Sequence, residues 1–297
     1  MSGEDSFNIK FKGGIKMKKL VMLVAAMAIM TNVAFAGLFG GGSNKLIQLK
    51  GSDTILNLGQ AVAEEAMKSD RSLKIAVTGG GSGTGIAALV NKTVDIAQAS
   101  REIKDKEIAQ AKAAGVTPKE ITVAYDGITV VVNKKNGVNN LTSAQLRSIF
   151  IGEVSNWKEI GGADKKIVVL SRDSSSGTHV FFKEHILRSG NEKGPEEYRK
   201  DTLFLPSNQA IVNEIEKNEG AIGYIGMGYM EAGIKDVTVN GIEATVANVF
   251  SKKYPISRGL YWYVNGEPKG NVKKLVDFIL SAKGQAIVKK EGFVPVK

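Results

Sequence analysis

The residues best suited to chemistry are Ser171-Arg172-Asp173-Ser174-Ser175-Ser176-Gly177-Thr178, a run of small hydroxyls with one arginine and one glycine. The apolar run Ile167-Val168-Val169-Leu170 just before them predicts a short buried strand. Val180, Phe181 and Leu187 just after them fall at helical spacing, so the hydroxyls sit where a strand passes into a helix. At such a junction the first-turn N–H groups have no backbone partner and the helix dipole is positive. Hydroxyl donors, a glycine that admits close approach and a bidentate guanidinium together can seat an oxyanion. One such junction is ordinarily a capped helix beside a surface loop. This chain makes three.

The first is Gly51-Ser52-Asp53-Thr54, between a strand over residues 45–50 and a helix running from Ile55 to about Ser69. The second is Thr78-Gly79-Gly80-Gly81-Ser82-Gly83-Thr84-Gly85, between a strand over 73–77 and a helix over 86–91. Its glycines open the backbone amides to a ligand. No Lys-Ser/Thr pair follows the last glycine and GxGxxG is not matched, which argues against a nucleotide.

Around these junctions, residues 94–99 read as a strand leaving through Ser100-Arg101, and 104–114 as a helix. Two strand pieces, 121–125 and 128–133, flank Asp126-Gly127, and an N-capped helix runs from Leu141 to about Ile149. Residues 207–217 form another N-capped helix, 221–227 a strand, and 237–239 with 245–246 a hairpin across Asn240-Gly241. A strand over 260–264 and helices over 272–281 and 285–290 close the chain. Alternating strands and helices define an α/β fold with mainly parallel sheets and ligand sites at strand carboxyl ends. Two junctions lie in the first part of the chain and one in the middle, so a cleft between two lobes would gather them.

Catalysis has little to stand on. The chain contains no cysteine, which excludes thiol nucleophiles, disulfides and zinc–cysteine sites. Its two histidines, His179 and His185, are six residues apart on one helix and do not share a face. Neither GxSxG nor HExxH occurs, and paired acids lie only on charged helix surfaces, so neither an enzyme nor a metal site is expected. The 297 residues are 43% hydrophobic, enough for one large domain or two smaller ones. Residues 1–36 read as an extension plus signal peptide: Lys18-Lys19, an apolar stretch, then Ala34-Phe35-Ala36 as cleavage site. Gly37 to Asn44 reads as a flexible linker. The mature product is expected in the periplasm, without a cysteine for a lipid anchor. The net charge is +10, of which about +7 stays after the leader is removed. Lysines and arginines are interspersed with acids, as in Lys104-Asp105-Lys106-Glu107, which suits small anions better than nucleic acid.

Over nearly the whole mature length the chain resembles the PstS-like phosphate-binding proteins, soluble solute-binding components of phosphate ABC importers. The resemblance is carried by Gly51-Ser52-Asp53-Thr54, Gly80-Gly81-Ser82-Gly83-Thr84-Gly85, Thr93-Val94-Asp95-Ile96-Ala97-Gln98-Ala99-Ser100-Arg101 and Ala124-Tyr125-Asp126-Gly127. Further on come residues 141–152 with Asn156-Trp157, the Arg172 to Thr178 run, and Tyr254-Pro255-Ile256-Ser257-Arg258. It implies a two-lobe periplasmic binding protein fold closing on phosphate, with lobes at 45–133 plus 247–297 and at 134–246. It also implies a membrane permease as partner, no cofactor, and a monomer. The ligand roles it implies fall on Thr54, the amide of Ile55, Ser82, Arg172, Ser176, Gly177 and Thr178, with Ser52, Ser100, Arg101 and Asp126 completing the candidate set. Other members have an aspartate at the position of Arg101, accepting the proton that phosphate carries and sulfate lacks. Guanidinium only donates. Asp126 is therefore the expected acceptor, with Asp53 second; an ion pair between Arg101 and Asp126 is the competing expectation. Rival functions are a binding protein for sulfate, molybdate or arsenate, a phosphatase, and a phosphate-sensing protein.

Overall fold

Pro118–Asn133 is one sixteen-residue strand, β4 in chain order, and the sheet is organised around it. Asp126-Gly127 was expected to divide it in two. Instead Asp126 and Gly127 stay in the strand, paired with Arg258 and Ser257 of the neighbouring strand, and Asp126 is buried against that arginine, as described below. A Cβ at Gly127 would lie 2.7 Å from Val249 Cγ2, which calls for glycine there. The structure is a computed structural model and describes residues 45–297; the leader and linker expectations lie outside the described residues.

The first half of β4 pairs antiparallel with β10 (Ser257–Asn265), in register from Gly127↔Ser257 to Pro118↔Asn265. Beyond β10 come β3 (Ile96–Ala99), β1 (Ile47–Gly51) and β2 (Ile75–Thr78), of which β1 is parallel to both neighbours. The second half of β4 pairs antiparallel with β8 (Ala221–Gly226) and β9 (Ile234–Val239). Next to β8 lie β6 (Val168–Arg172) and then β7 (Leu203–Leu205), both parallel, while the short β5 (Asn140–Leu141) joins β9. The fold is thus mixed α/β, with parallel pairing at the two outer ends and antiparallel pairing in the middle.

Helices leave the carboxyl ends of the parallel strands. A 3₁₀ turn at Asp53–Ile55 leads from β1 into α1 (Leu56–Ser69); α2 (Ser82–Val90) follows β2 and α3 (Asp105–Ala113) follows β3. The capping box Thr142–Gln145 starts α4 (Ser143–Ile151), and Gly152, left-handed at φ 93°, ends it. After β6 comes α5 (Gly177–Phe182), continued by a π turn over Lys183–Leu187, and after β7 comes α6 (Asn208–Lys217). The expected hairpin over 237–246 does not form. Thr245 caps α7 (Val246–Phe250) by accepting from Asn248 N, and Asn240-Gly241 closes only the local bridge Val239↔Ile242. Helices α8 (Gly270–Leu280) and α9 (Ala282–Lys290) end the chain.

Buried side chains follow the two halves of β4. Leu49, Ile55, Val62, Ile96, Trp262 and Leu275 form one cluster; Val130, Phe150, Trp157, Phe182 and Tyr224 form another, joined by Val249, Tyr254 and Ile256. Among the described residues no helix is long and apolar enough to cross a membrane.

Helix α2 lies directly on the backbone of β1. A Cβ at Gly85 would stand 2.4 Å from the Lys50 carbonyl oxygen and 2.6 Å from Gly51 Cα. Gly85→Ala is therefore expected to destabilise the protein by about 1–3 kcal/mol through overpacking. Urea unfolding should show a lower midpoint at unchanged slope; an unchanged midpoint would mean that the helix can ride outward at no cost.

Candidate functional site

The first two junctions meet through serine hydroxyls. Ser52 Oγ accepts from Thr54 N at 3.2 Å, which caps the 3₁₀ turn, and donates to Ser100 Oγ at 2.9 Å. Ser82, in the first turn of α2, accepts from Ser100 N at 3.0 Å and has its Oγ 3.3 Å from that of Ser100. The third junction closes on this pair. Gly83 N donates to Ser175 O at 3.0 Å, and Thr54 Oγ1 lies 2.7 Å from Thr178 Oγ1. Ser176 caps α5, accepting from His179 N. At Gly177 a Cβ would stand 2.3 Å from Ser82 Oγ and 2.7 Å from Ser100 Oγ, so only glycine lets α5 approach so closely. Ser52, Thr54, Ser82, Ser100, Ser176, Gly177 and Thr178 thus form one buried patch. Ile55 puts its side chain into the first core cluster.

Arg172 reaches the patch from the end of β6. It is 1% exposed, donating through Nε to Leu205 O (3.3 Å) and through Nη2 to Pro206 O (2.8 Å) and Asp53 Oδ2 (3.1 Å). Its Nη1 has no partner. Burial pulls its pKa down and Asp53 opposes the fall. The other Asp53 oxygen accepts from Gly80 N at 3.0 Å, so this carboxylate ties all three junctions together. By contrast, Arg188 and Arg199 make ion pairs with the exposed Glu197 and Asp201, the surface role that an arginine ordinarily has.

Arg101 is placed differently from the hydroxyls. Its two terminal nitrogens grip Glu107, at 2.8 and 2.7 Å, and Nη1 also donates to Glu102 O. The alternative ion pair of Arg101 with Asp126 is not formed. Asp126 is held by Arg258, whose Nε and Nη2 reach Asp126 Oδ2 at 2.9 and 2.6 Å, and Asp126 Oδ1 accepts from Met227 N at 3.0 Å.

Arg258 is the residue that the sequence reading left without a role. Besides binding Asp126 it donates to Ser100 O at 2.8 Å and to Thr178 Oγ1 at 3.0 Å. Since guanidinium cannot accept, the Thr178 hydroxyl must take this bond on its oxygen and turn its own proton elsewhere. The signal available in the sequence was an arginine opening an otherwise apolar strand. A cavity of about 650 Å³ lies behind Arg258, lined by Arg101, Tyr125, Phe181, Tyr254 and Tyr261, and the hydroxyl patch does not open into it.

Beneath Arg172 a chain of polar groups fixes the third junction. Ser171 Oγ, Tyr224 OH and Tyr198 OH follow one another at 2.6 and 2.8 Å, and Tyr198 donates to His179 O. His179 Nδ1 lies 2.8 Å from the Arg172 carbonyl, so that nitrogen carries the proton. His185, in contrast, is exposed and stacks on Phe181 at 3.7 Å. Among the described residues no three side chains gather as metal ligands.

The mixed α/β fold, with helix starts gathered on a buried polar patch, is that of a solute-binding protein. The chain belongs to the PBP superfamily, whose family model matches residues 40–283. It is similar to the phosphate-binding protein PstS of Borreliella burgdorferi, 30% identical over 287 residues, covering 95% of this chain and all of the relative. It is also similar to that of Bacillus subtilis, 31% identical and covering 95% of each. A Clostridium perfringens substrate-binding protein solved with bound phosphate is 35% identical, with a TM-score of 0.78 over 85% of this chain and 100% of that one.

Burial lowers the His179 pKa from 6.5 to about 4, while its bond to the Arg172 carbonyl pulls the other way. The folded protein thus holds this imidazole neutral, and the unfolded chain takes up a proton first as the pH falls. The stability involved is present in full above pH 6.5 and is lost toward pH 4, by about 2 kcal/mol at pH 5. His179→Asn should flatten the change in unfolding free energy between pH 7 and 5 by that amount. An identical slope in the variant would place the acid sensitivity elsewhere.

Proposed function

We propose that this protein is a periplasmic solute-binding component that captures inorganic phosphate between two lobes, 45–133 plus 247–297 and 134–246, and delivers it to an ABC permease. The observation that carries this reading is the meeting of three strand–helix junctions and one buried arginine at a single point. The hydroxyls there bond to one another; an entering oxyanion would exchange those neutral partners for a charged acceptor. Charge-assisted bonds of this kind contribute roughly 1.5–3 kcal/mol each. Thr54, Ser52, Ser82, Ser100, Ser176 and Thr178 supply hydroxyls, Ile55 and Gly177 supply amides, and Arg172 supplies its free Nη1. Arg101, beside Gly83 and neutralised by Glu107, adds positive potential rather than a direct bond. The Clostridium perfringens structure with bound phosphate supports the choice of anion. The basic start and apolar stretch read over residues 1–36 support export, and the proposal takes the protein as a monomeric receptor without cofactor or turnover.

Titration calorimetry with phosphate, sulfate and arsenate tests the reading: saturable phosphate binding is expected, and p-nitrophenyl phosphate should not be hydrolysed. Arg172→Ala should weaken phosphate by about 2–5 kcal/mol, since it removes the buried cation and strands Asp53. A wild-type protein indifferent to phosphate would overturn the proposal.

Asp126 is the proposed acceptor of the phosphate proton. Its Oδ1 takes one bond from Met227 N and keeps a second lone pair, and the carboxylate lies against the same glycine, Gly226, as the Thr54 methyl group. Asp126→Asn should narrow the preference for phosphate over sulfate. If the ratio of the two affinities stays as in the wild type, the discriminating group is another one.

A further inference from the structure

Strand β7 runs parallel to β6, with Leu205 in register with Arg172. Its carboxyl end therefore opens beside the third junction and leads, through Pro206 and Ser207, into the ten-residue helix α6. Ser207 caps that helix, accepting from Ala210 N at 3.1 Å. Here is a fourth strand–hydroxyl–helix junction, and its first helical residue is Asn208. This side chain is 0% exposed. Its Oδ1 accepts from Gly226 N at 3.2 Å, which settles the amide orientation and turns Nδ2 away from that strand end. Nδ2 has no partner.

A buried primary amide with both protons unpaired is costly and uncommon. Two neighbours show what it faces. Arg172, whose Nη1 is also without a partner, bonds through Nη2 to the carbonyl of Pro206, two residues before Asn208. Gly226, which holds Asn208 Oδ1, lies against the candidate ligand Thr54: a Cβ on it would be 2.8 Å from the Thr54 methyl and 3.3 Å from Asp126 Oδ2. The side chains that carry the two unsatisfied donors are thus tied to Pro206 and to Gly226, and Gly226 in turn borders Thr54 and Asp126.

We propose that Asn208 is a ligand residue, its Nδ2 donating to an oxygen of bound phosphate alongside Arg172 Nη1. The inference rests on the phosphate reading above and adds a fourth junction to the three that the hydroxyl motifs mark. A carboxamide supplies a donor there without adding charge, so it strengthens oxygen binding without competing with Arg172 for Asp53.

Two measurements test it. In calorimetry with inorganic phosphate, Asn208→Ala should bind about 10-fold more weakly than wild type, the loss of one good hydrogen bond. In NMR of the 15N-labelled wild-type protein, the Asn208 side-chain amide is assigned by its disappearance in Asn208→Asp. Its protons should shift downfield on adding phosphate, saturate at one equivalent and show coupling to 31P. Unchanged affinity in Asn208→Ala overturns the inference. So does weakened affinity with an amide signal that phosphate leaves in place, which would make Asn208 scaffolding. If Asn208→Ala does not fold, the wild-type NMR titration decides alone. Wild type that binds no phosphate removes the functional reading as well, whereas the other outcomes leave it standing.

Discussion

The ion pair of Arg258 with Asp126 is the interaction on which the site's geometry depends. Both groups are buried, facing each other as register partners near the end of the ladder that pairs β10 with the first half of β4. Charges taken out of water hold together only when their remaining hydrogen-bonding capacity is met. Here it is met by Ser100 O, Thr178 Oγ1 and Met227 N, groups from three separate segments. The pair therefore joins the exit of β3, the start of α5 and the end of β8 at fixed distances. Burial pulls the Arg258 pKa down, and Asp126 counters it.

Around that centre the site is built from helix starts rather than from charged side chains. Each junction presents first-turn amides and a short hydroxyl, and the glycines at 81 and 177 allow backbones and hydroxyls to approach closely. Positive potential comes mostly from dipoles and one arginine, Arg172, whose charge is shared with Asp53. Such a site favours a small oxyanion with many acceptors over a larger anion carried by a few charges.

What the sequence made legible was local. The hydroxyl–glycine runs mark junctions because strand and helix periods change within a few residues, and the alternation of elements gave the α/β class. What it concealed was set at long range or by competing local meanings. Asp126 and Arg258 meet through an antiparallel register that links residues 132 apart, which no motif encodes. Asp126-Gly127 reads as a turn, yet pairing with β10 and the bond of Asp126 to Arg258 keep it in the strand. Thr245-Val246 has strand-forming residue types, but threonine is also a good helix cap, and capping won. Asn208 stayed hidden because the strand before it, Leu203–Leu205, is only three residues long and partly exposed, with little periodicity to announce it.

The unbroken β4 has a mechanical meaning. A ribbon shared by both halves offers no slack joint, so any parting of the halves would have to twist it. The fulcrum of that torsion is the Asp126-Gly127 crossing, where displacement is smallest. Lys104 with Glu184, a contact that shares no group with the charge pair, would separate before Thr178, which Arg258 holds directly. Pivot and charge pair would then occupy the same place, and a twist there would leave the most heavily desolvated ions covered.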